Sequence, residues 1–203
     1  PAIAVDGSWL WLVSAPGAVT RFDLTTRTAS APISVRVVPD GSATARATGV
    51  VANAADIFTA TDTTEGIEIA RLDATAGRVV ATGRVETAAT RVELGGFAGD
   101  SRRLWLLAGN IVSELDPTTL ATLRTIAIET QANSTSRGAV VTGDSLWILT
   151  DSGATLTRLD TDTGAFTAKV RVLDRTPGTF ATPASLVTNG RDVWAMVQRT
   201  SSE

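Results

Sequence analysis

Apolar residues along this chain come in short runs, alternating or continuous, that are cut by Asp-Gly, Thr-rich and Gly-containing segments. No stretch sustains a 3.6-residue period; Leu115 to Ile126, the longest candidate for a helix, carries Pro117 and four threonines. The pattern therefore predicts strands. Ala2-Ile3-Ala4-Val5 is followed by a turn at Asp6-Gly7, a second strand Trp9-Leu10-Trp11-Leu12-Val13, and a third, Val19-Thr20-Arg21-Phe22-Asp23. The same succession returns later, with Ile57-Phe58-Thr59, Leu104-Trp105-Leu106-Leu107, Leu146-Trp147-Ile148-Leu149 and Val193-Trp194-Ala195-Met196-Val197 in the place of the second strand.

The aromatics at the centre of these strands, Trp11, Phe58, Trp105, Trp147 and Trp194, lie 47, 47, 42 and 47 positions apart. That period matches a four-stranded propeller blade of about 40–50 residues. Each third strand ends in Asp (Asp23, Asp73, Asp116, Asp160), and a turn-rich segment then leads into a fourth strand such as Arg78-Val79-Val80-Ala81-Thr82. One such unit cannot cover both of its faces alone, whereas radial stacking of twisted sheets covers them, so a β-propeller is favoured over a solenoid or a sandwich. The expectation is an all-β fold of antiparallel four-stranded blades, about four and a half of them, with units near 1–40, 41–90, 91–132, 133–176 and 177–203. The fifth unit supplies two strands, so the chain reads as part of a larger or end-closed ring, a piece of a longer protein able to associate through its incomplete blade.

Asp6-Gly7-Ser8-Trp9-Leu10-Trp11, Gly143-Asp144-Ser145-Leu146-Trp147 and Leu159-Asp160-Thr161-Asp162-Thr163-Gly164 resemble the YVTN-type bacterial β-propeller repeat. The resemblance covers essentially the whole chain and implies binding, sensing or surface scaffolding. Similar blades occur in streptogramin-type lyases and quinone-cofactor dehydrogenases. The lyases use a histidine acid/base, absent here, and the quinoprotein repeat closes with a Trp where Ala165-Phe166-Thr167 follows Gly164.

Composition narrows the chemistry further. The chain has 203 residues, 43% hydrophobic and 19% charged, enough apolar surface to offset chain entropy. A net charge of −3 argues against nucleic acid, and no apolar run approaches the ~20 residues of a membrane-spanning helix. With no Cys, His or Tyr, Cys- and His-ligated zinc, disulfides and Ser-His or Cys-His nucleophiles are excluded. There is no P-loop and no G-x-G-x-x-G, and no cofactor is implied. Lys169, the one lysine, reads as an edge charge of a fourth strand, and Asn133-Ser134-Thr135 is a formal sequon without weight in a chain of bacterial character. Absence of Cys suits an exported protein and equally a cytoplasmic one, and the reading leans to the exported setting.

The Asp that ends each third strand reads as a turn opener accepting backbone N–H bonds, not as a ring of carboxylates. Asp160 to Gly164 is no calcium loop, since Ala165 and Arg171 stand where such a loop needs Gly and Glu. The marker aromatics read as filling between blades, and Trp9, on the same face as Trp11, as a cover for an open edge or ring end. Arg21, Arg71, Glu114 and Arg158, one residue before the end of each apolar third-strand pattern, are candidates for ion pairs between neighbouring blades. The loops joining second to third strands, and those leading into each new unit, should share one end of the propeller. They carry Arg46, Arg91, Arg137 and Arg175 with Asp62, Glu65, Asp151 and Asp174. These form the candidate binding site, in which the arginines would meet a protein partner or a small acidic ligand through bidentate contacts. The leading expectation is a non-catalytic binding or sensing module with no catalytic residue and no metal. The alternatives are a metal-assisted lyase or hydrolase using the loop carboxylates, and a structural spacer joined through an open sheet edge.

Overall fold

A computed structural model describes residues 2–14, 18–35, 46–53, 56–63, 66–86, 94–100, 102–129, 136–150, 155–172 and 179–201. These residues form strands and turns, with no helix among them. The first sheet holds β1 (Ala2–Asp6), β2 (Trp9–Ser14), β3 (Ala18–Asp23), β4 (Thr28–Ala29) and β5 (Ile33–Ser34). The second is β6 (Arg46–Asn53), β7 (Asp56–Thr63), β8 (Gly66–Asp73) and β9 (Arg78–Val85). The third is β10 (Leu94–Gly99), β11 (Leu104–Ala108), β12 (Ile111–Leu115) and β13 (Thr122–Ala127). The fourth is β14 (Arg137–Thr142), β15 (Ser145–Thr150), β16 (Thr155–Asp160) and β17 (Phe166–Arg171). A two-stranded sheet, β18 (Thr179–Thr188) and β19 (Val193–Ser201), follows.

Every pairing is antiparallel between consecutive strands, except that β4 and β5 share the outer side of β3. Those two fragments divide what is a single fourth strand in the next three sheets. Pro32 lies just before β5, and proline cannot donate to a ladder. The strand-forming residues are those the alternation marks, and the arrangement is that of an all-β propeller built from four-stranded antiparallel blades.

The first strands lie side by side in chain order, β1 against β6, β6 against β10, β10 against β14 and β14 against β18. Between them lie three apolar clusters. Trp11, Val13 and Val19 of the first blade meet Val50, Ile57 and Leu72 of the second. Phe58, Ile67 and Ile69 of the second meet Phe97, Leu104 and Leu106 of the third. Trp105, Leu107 and Val112 of the third meet Leu146, Ile148 and Leu159 of the fourth. Strand alternation makes each blade two-faced: the marker aromatic points to the following blade, and the aliphatic residue before it points to the preceding one. Trp9 shares the face of Trp11 and packs toward the second blade, so it does not cover the ring end as the sequence suggested.

The marker aromatics are not equally covered. Trp11, Phe58 and Trp105 are buried, Trp147 is half-buried, and Trp194 is 51% exposed. The aromatic-core expectation holds for the first three. Trp147 is only partly covered where a two-stranded sheet follows it, and no described strand lies over Trp194.

The inner strands approach closely because their facing residues are small. A Cβ on Gly96 would come within 2.9 Å of the Ala139 backbone nitrogen and 3.1 Å of the Gly138 carbonyl carbon. Gly96→Val should therefore lower stability by about 1–3 kcal/mol through forced backbone separation. Trp105→Ala should cost about 3–5 kcal/mol, and Trp147→Ala clearly less, because its side chain is already partly in water. Urea unfolding of the three variants tests this ordering, and equal losses at Trp105 and Trp147 would contradict it.

Candidate functional site

Strand direction decides which residues share an end. β7 runs up to Thr63, β8 descends from Gly66, β9 rises to Val85 and β6 starts at Arg46, so the second-to-third-strand loop and the entry into the blade lie together. Arg46 stands directly opposite Asp62 in the β6–β7 ladder. Arg137, exposed, begins β14 opposite Leu149 and belongs to the same end two blades further on. Asp62 is half-buried, and both Asp62 and Arg137 have interaction partners. Arg91, Arg175, Glu65, Asp151 and Asp174 lie outside the described residues, as does the side chain of Arg46.

One pair at this end was not anticipated. Arg84 Nη2 lies 2.9 Å from Oε1 of Glu68, whose carboxylate is almost wholly buried on the face toward the first blade. The signal was a single charged residue in the apolar run Gly66-Ile67-Glu68-Ile69-Ala70, and its partner comes from the register of β8 with β9. Among the described residues, no group of three or more His, Cys, Asp or Glu side chains is placed to hold a metal ion.

The opposite end is closed by four equivalent turns. Asp23 Oδ1 accepts the backbone N–H groups of Thr25 and Thr26 at 2.7 and 3.1 Å. Asp73 does the same with Thr75 and Ala76, Asp116 with Thr118 and Thr119, and Asp160 with Asp162 and Thr163. In each, the residue four positions after the Asp donates back to its carbonyl and adopts a positive φ: Arg27, Gly77, Leu120 and Gly164. The carboxylates are thus turn openers spent on local hydrogen bonds, and those N–H donors hold all four below the ordinary Asp range.

Between the blades, guanidinium groups cover the marker tryptophans. Arg21, paired across strands with Trp11, sits 4.2 Å over the Trp9 ring and 5.8 Å over the Trp11 ring, and donates to the Ala74 carbonyl of the next blade at 3.0 Å. Arg158 lies 5.8 Å over Trp147 and donates to Ser145 Oγ. In the third blade Glu114 occupies the equivalent place, and the cation comes from the fourth strand. Arg124 lies 5.5 Å over Trp105 and 2.5 Å from Glu114. Arg124 also donates to the Thr161 carbonyl of the fourth blade, as does Arg103, which pairs with Asp162 at 2.5 Å. Arg71 pairs with Asp56 of its own blade at 2.8 Å. The expected ion pairs between blades are not seen at the four residues named. Arg21 crosses to the next blade but bonds a carbonyl, Glu114 pairs with Arg103 and Arg124 of its own blade, and Arg71 and Arg158 bond within theirs, while Arg103 with Asp162 is an ion pair that does cross.

A cleft of about 630 Å³ opens where the divided fourth strand of the first blade faces the Ala74 to Gly77 turn. Trp11, Arg21, Pro32 and Ile33 line it, with Arg21 already committed to Ala74.

Successive antiparallel four-stranded sheets, stacked through their first strands and displaying loops at one end, define the class as a β-propeller. Among solved structures, BamB from Moraxella catarrhalis is similar, with a TM-score of 0.63 and 14% sequence identity, over 98% of this chain and 56% of that chain. The chain thus spans just over half the length of that neighbour. No protein-family model matches the chain, and no curated protein matches it.

The Asp turns predict an acid limb. Their folded pKa values are depressed, so their stabilisation is complete above the ordinary Asp value of about 3.9. It is lost as pH falls through the lower folded values. Asp116→Asn keeps an acceptor oxygen without a titrating charge and should flatten this limb, whereas Asp116→Ala should lower the melting temperature at neutral pH as well. Melting curves between pH 2 and 7 check both outcomes, and an unchanged acid limb in Asp116→Asn would contradict the assignment.

Proposed function

We propose that this chain is a non-catalytic interaction module, a propeller of YVTN-like blades that holds variable loops on a rigid scaffold and receives a protein partner through an acidic segment, or a small acidic ligand. The observation that carries the reading is the convergence of Arg46, Asp62 and Arg137 on the loop-bearing end, while the other end is consumed by its own turns. Arginine suits the role because its planar fork matches a carboxylate. Arg91 and Arg175 extend the proposed set, with Glu65 and Asp151 as the acidic counterparts that would set specificity. A cysteine-free chain is compatible with the exported setting proposed for it.

A glutamate-rich peptide, titrated calorimetrically at low ionic strength, is the direct probe. The double variant Arg46→Glu/Arg137→Glu should abolish the binding while its melting temperature stays within a few degrees of the parent. Undiminished binding in that variant would overturn the assignment of the arginines. Melting in chelator and then with calcium, magnesium or manganese separates this reading from a metal-assisted one. A metal at 100 times its dissociation constant would add about 2.7 kcal/mol to the folded state, and the interaction reading expects no shift.

A further inference from the structure

The turn between the third and fourth strands of a blade reaches toward the outer strand of the blade before it, and at two junctions that space is filled. Leu120, four residues after Asp116, is 2% exposed, and a Cβ on Gly83 of the second blade would come within 2.8 Å of the Leu120 Cβ. Gly164 holds the same place at the third junction, where Arg124 Nη1 and Ile126 Cδ1 of the preceding blade stand 3.0 Å from the position its Cβ would take. The first junction has neither filling. Gly77 brings no side chain, Ile33 Cδ1 of the first blade stays 3.6 Å from the place of its Cβ, and the outer strand it faces is divided into β4 and β5. The cleft of about 630 Å³ opens there, on the outer flank of the first junction, with a volume suited to a small molecule.

Its walls are of two kinds. Trp11, Pro32, Ile33 and Val79 supply apolar surface, and Arg21 and Arg78 supply charge, with no acidic side chain among the described residues that line it. Both guanidinium groups have donors to spare. Nη1 of Arg21 is taken by the Ala74 carbonyl, but Nε and Nη2 have no acceptor among the described residues, and neither is sealed from water. The Trp9 ring, 4.2 Å from this guanidinium, and the Ala74 bond together hold it in place, so the remaining donors are fixed in direction. Arg78, exposed at the start of β9, donates to nothing among the described residues. Its charge acts on Asp73, opposite it in the β8–β9 ladder, whose Oδ1 already accepts from Thr75 and Ala76.

We infer that this cleft is a binding site separate from the loop-bearing end, and that its ligand is a small aromatic carboxylate. The carboxylate accepts from the spare guanidinium donors, whose planar fork matches it. The ring lies against the apolar wall that Trp11, Pro32, Ile33 and Val79 provide. An inorganic anion would leave that wall uncovered, and a neutral ring would leave the donors without an acceptor, so the cleft selects for both parts in one molecule. Nothing in this site depends on how the arc of blades continues, since it lies between two complete sheets.

Naphthoate is the probe, titrated into the whole chain by calorimetry while NMR follows the indole N–H signals of the five tryptophans. The expected result is one-to-one binding that shifts the Trp11 signal and leaves that of Trp194 in place. Arg78→Gln, at an exposed residue, should keep the parent's melting temperature and weaken binding about tenfold. Naphthalenemethanol, the same ring without the charge, should bind the parent more weakly to a similar degree. Gly77→Leu installs the side chain that the third blade carries at Leu120, where φ is nearly the same (62° and 61°), and should abolish binding. Should that variant fail to fold, Arg78→Gln decides the matter alone. No saturable binding of naphthoate to the parent at about 1 mM overturns the inference. Undiminished binding in Arg78→Gln overturns it too, as does a shift confined to Trp194, which would put the probe on the fifth sheet. Loss of naphthoate binding in Arg46→Glu/Arg137→Glu, with Arg78→Gln unaffected, would move the ligand to the loop-bearing end and overturn the cleft as its site. Binding of the glutamate-rich peptide is read separately, so failure of one reading does not mask failure of the other.

Discussion

The closeness of the innermost strands is the constraint on which the other contacts depend. Where β10 passes β14, a glycine stands against backbone atoms with no room for a methyl group, and where β6 passes β10, Gly49 leaves no more space beside Phe97. Only at that separation can the second strands, further from the axis, bring Phe58 against Leu106 or Trp105 against Ile148 without leaving a gap. The apolar clusters supply the energy, since burial of large side chains drives the packing. The small residues supply the geometry that lets the burial happen.

Polar groups are then placed where this packing leaves backbone unsatisfied. The guanidinium groups of Arg21, Arg103 and Arg124 reach across to carbonyls of the turn between the third and fourth strands of the next blade, Ala74 in one junction and Thr161 in another. Arg21 and Arg124 also lie over a tryptophan that the same junction buries, so the charge faces a ring while its N–H groups are used. The aspartates that form those turns keep the acceptor carbonyls in position. Local turn chemistry at one end of the molecule thus sets the target for a contact between blades.

Much of this was legible in the sequence because it repeats. A near-regular interval of 42 to 47 positions between Trp11, Phe58, Trp105, Trp147 and Trp194, with Asp 11 to 15 positions after each of the first four, is enough to predict blades and turns. What could not be read depended on register and on neighbours. Arg124 meets Glu114 because β12 and β13 pair with a bulge beside Glu114, and no spacing rule foretells a bulge. Trp194 occupies the same place in its repeat as Trp105, yet one is in water and the other is not, since burial belongs to the junction and not to the repeat. The division of the first blade's outer strand had a signal in Pro32 that a search for apolar runs passes over. Of the candidate binding residues, strand direction placed Arg46, Asp62 and Arg137 at one end, which the order of elements had implied.

Near-identical junctions carry a hazard while the chain is still folding. A marker-aromatic face that fits the aliphatic face of one blade fits those of the others almost as well, so a blade could settle on the wrong neighbour and trap the chain in a compact misassembly, a characteristic failure of repeat proteins. The arginine contacts differ from junction to junction in a way the apolar contacts do not. Arg21 finds Ala74 at the first, Arg71 stays within its blade at the second, and the Arg103 and Arg124 pair finds Thr161 at the third. A mismatched turn would still offer the equivalent carbonyl, but it would lack the partner of the Arg103–Asp162 ion pair, because Thr25, Thr75 and Thr118 stand in the other turns where Asp162 stands in the fourth. That ion pair, modest as a source of stability, marks the third junction in a way its apolar contacts do not.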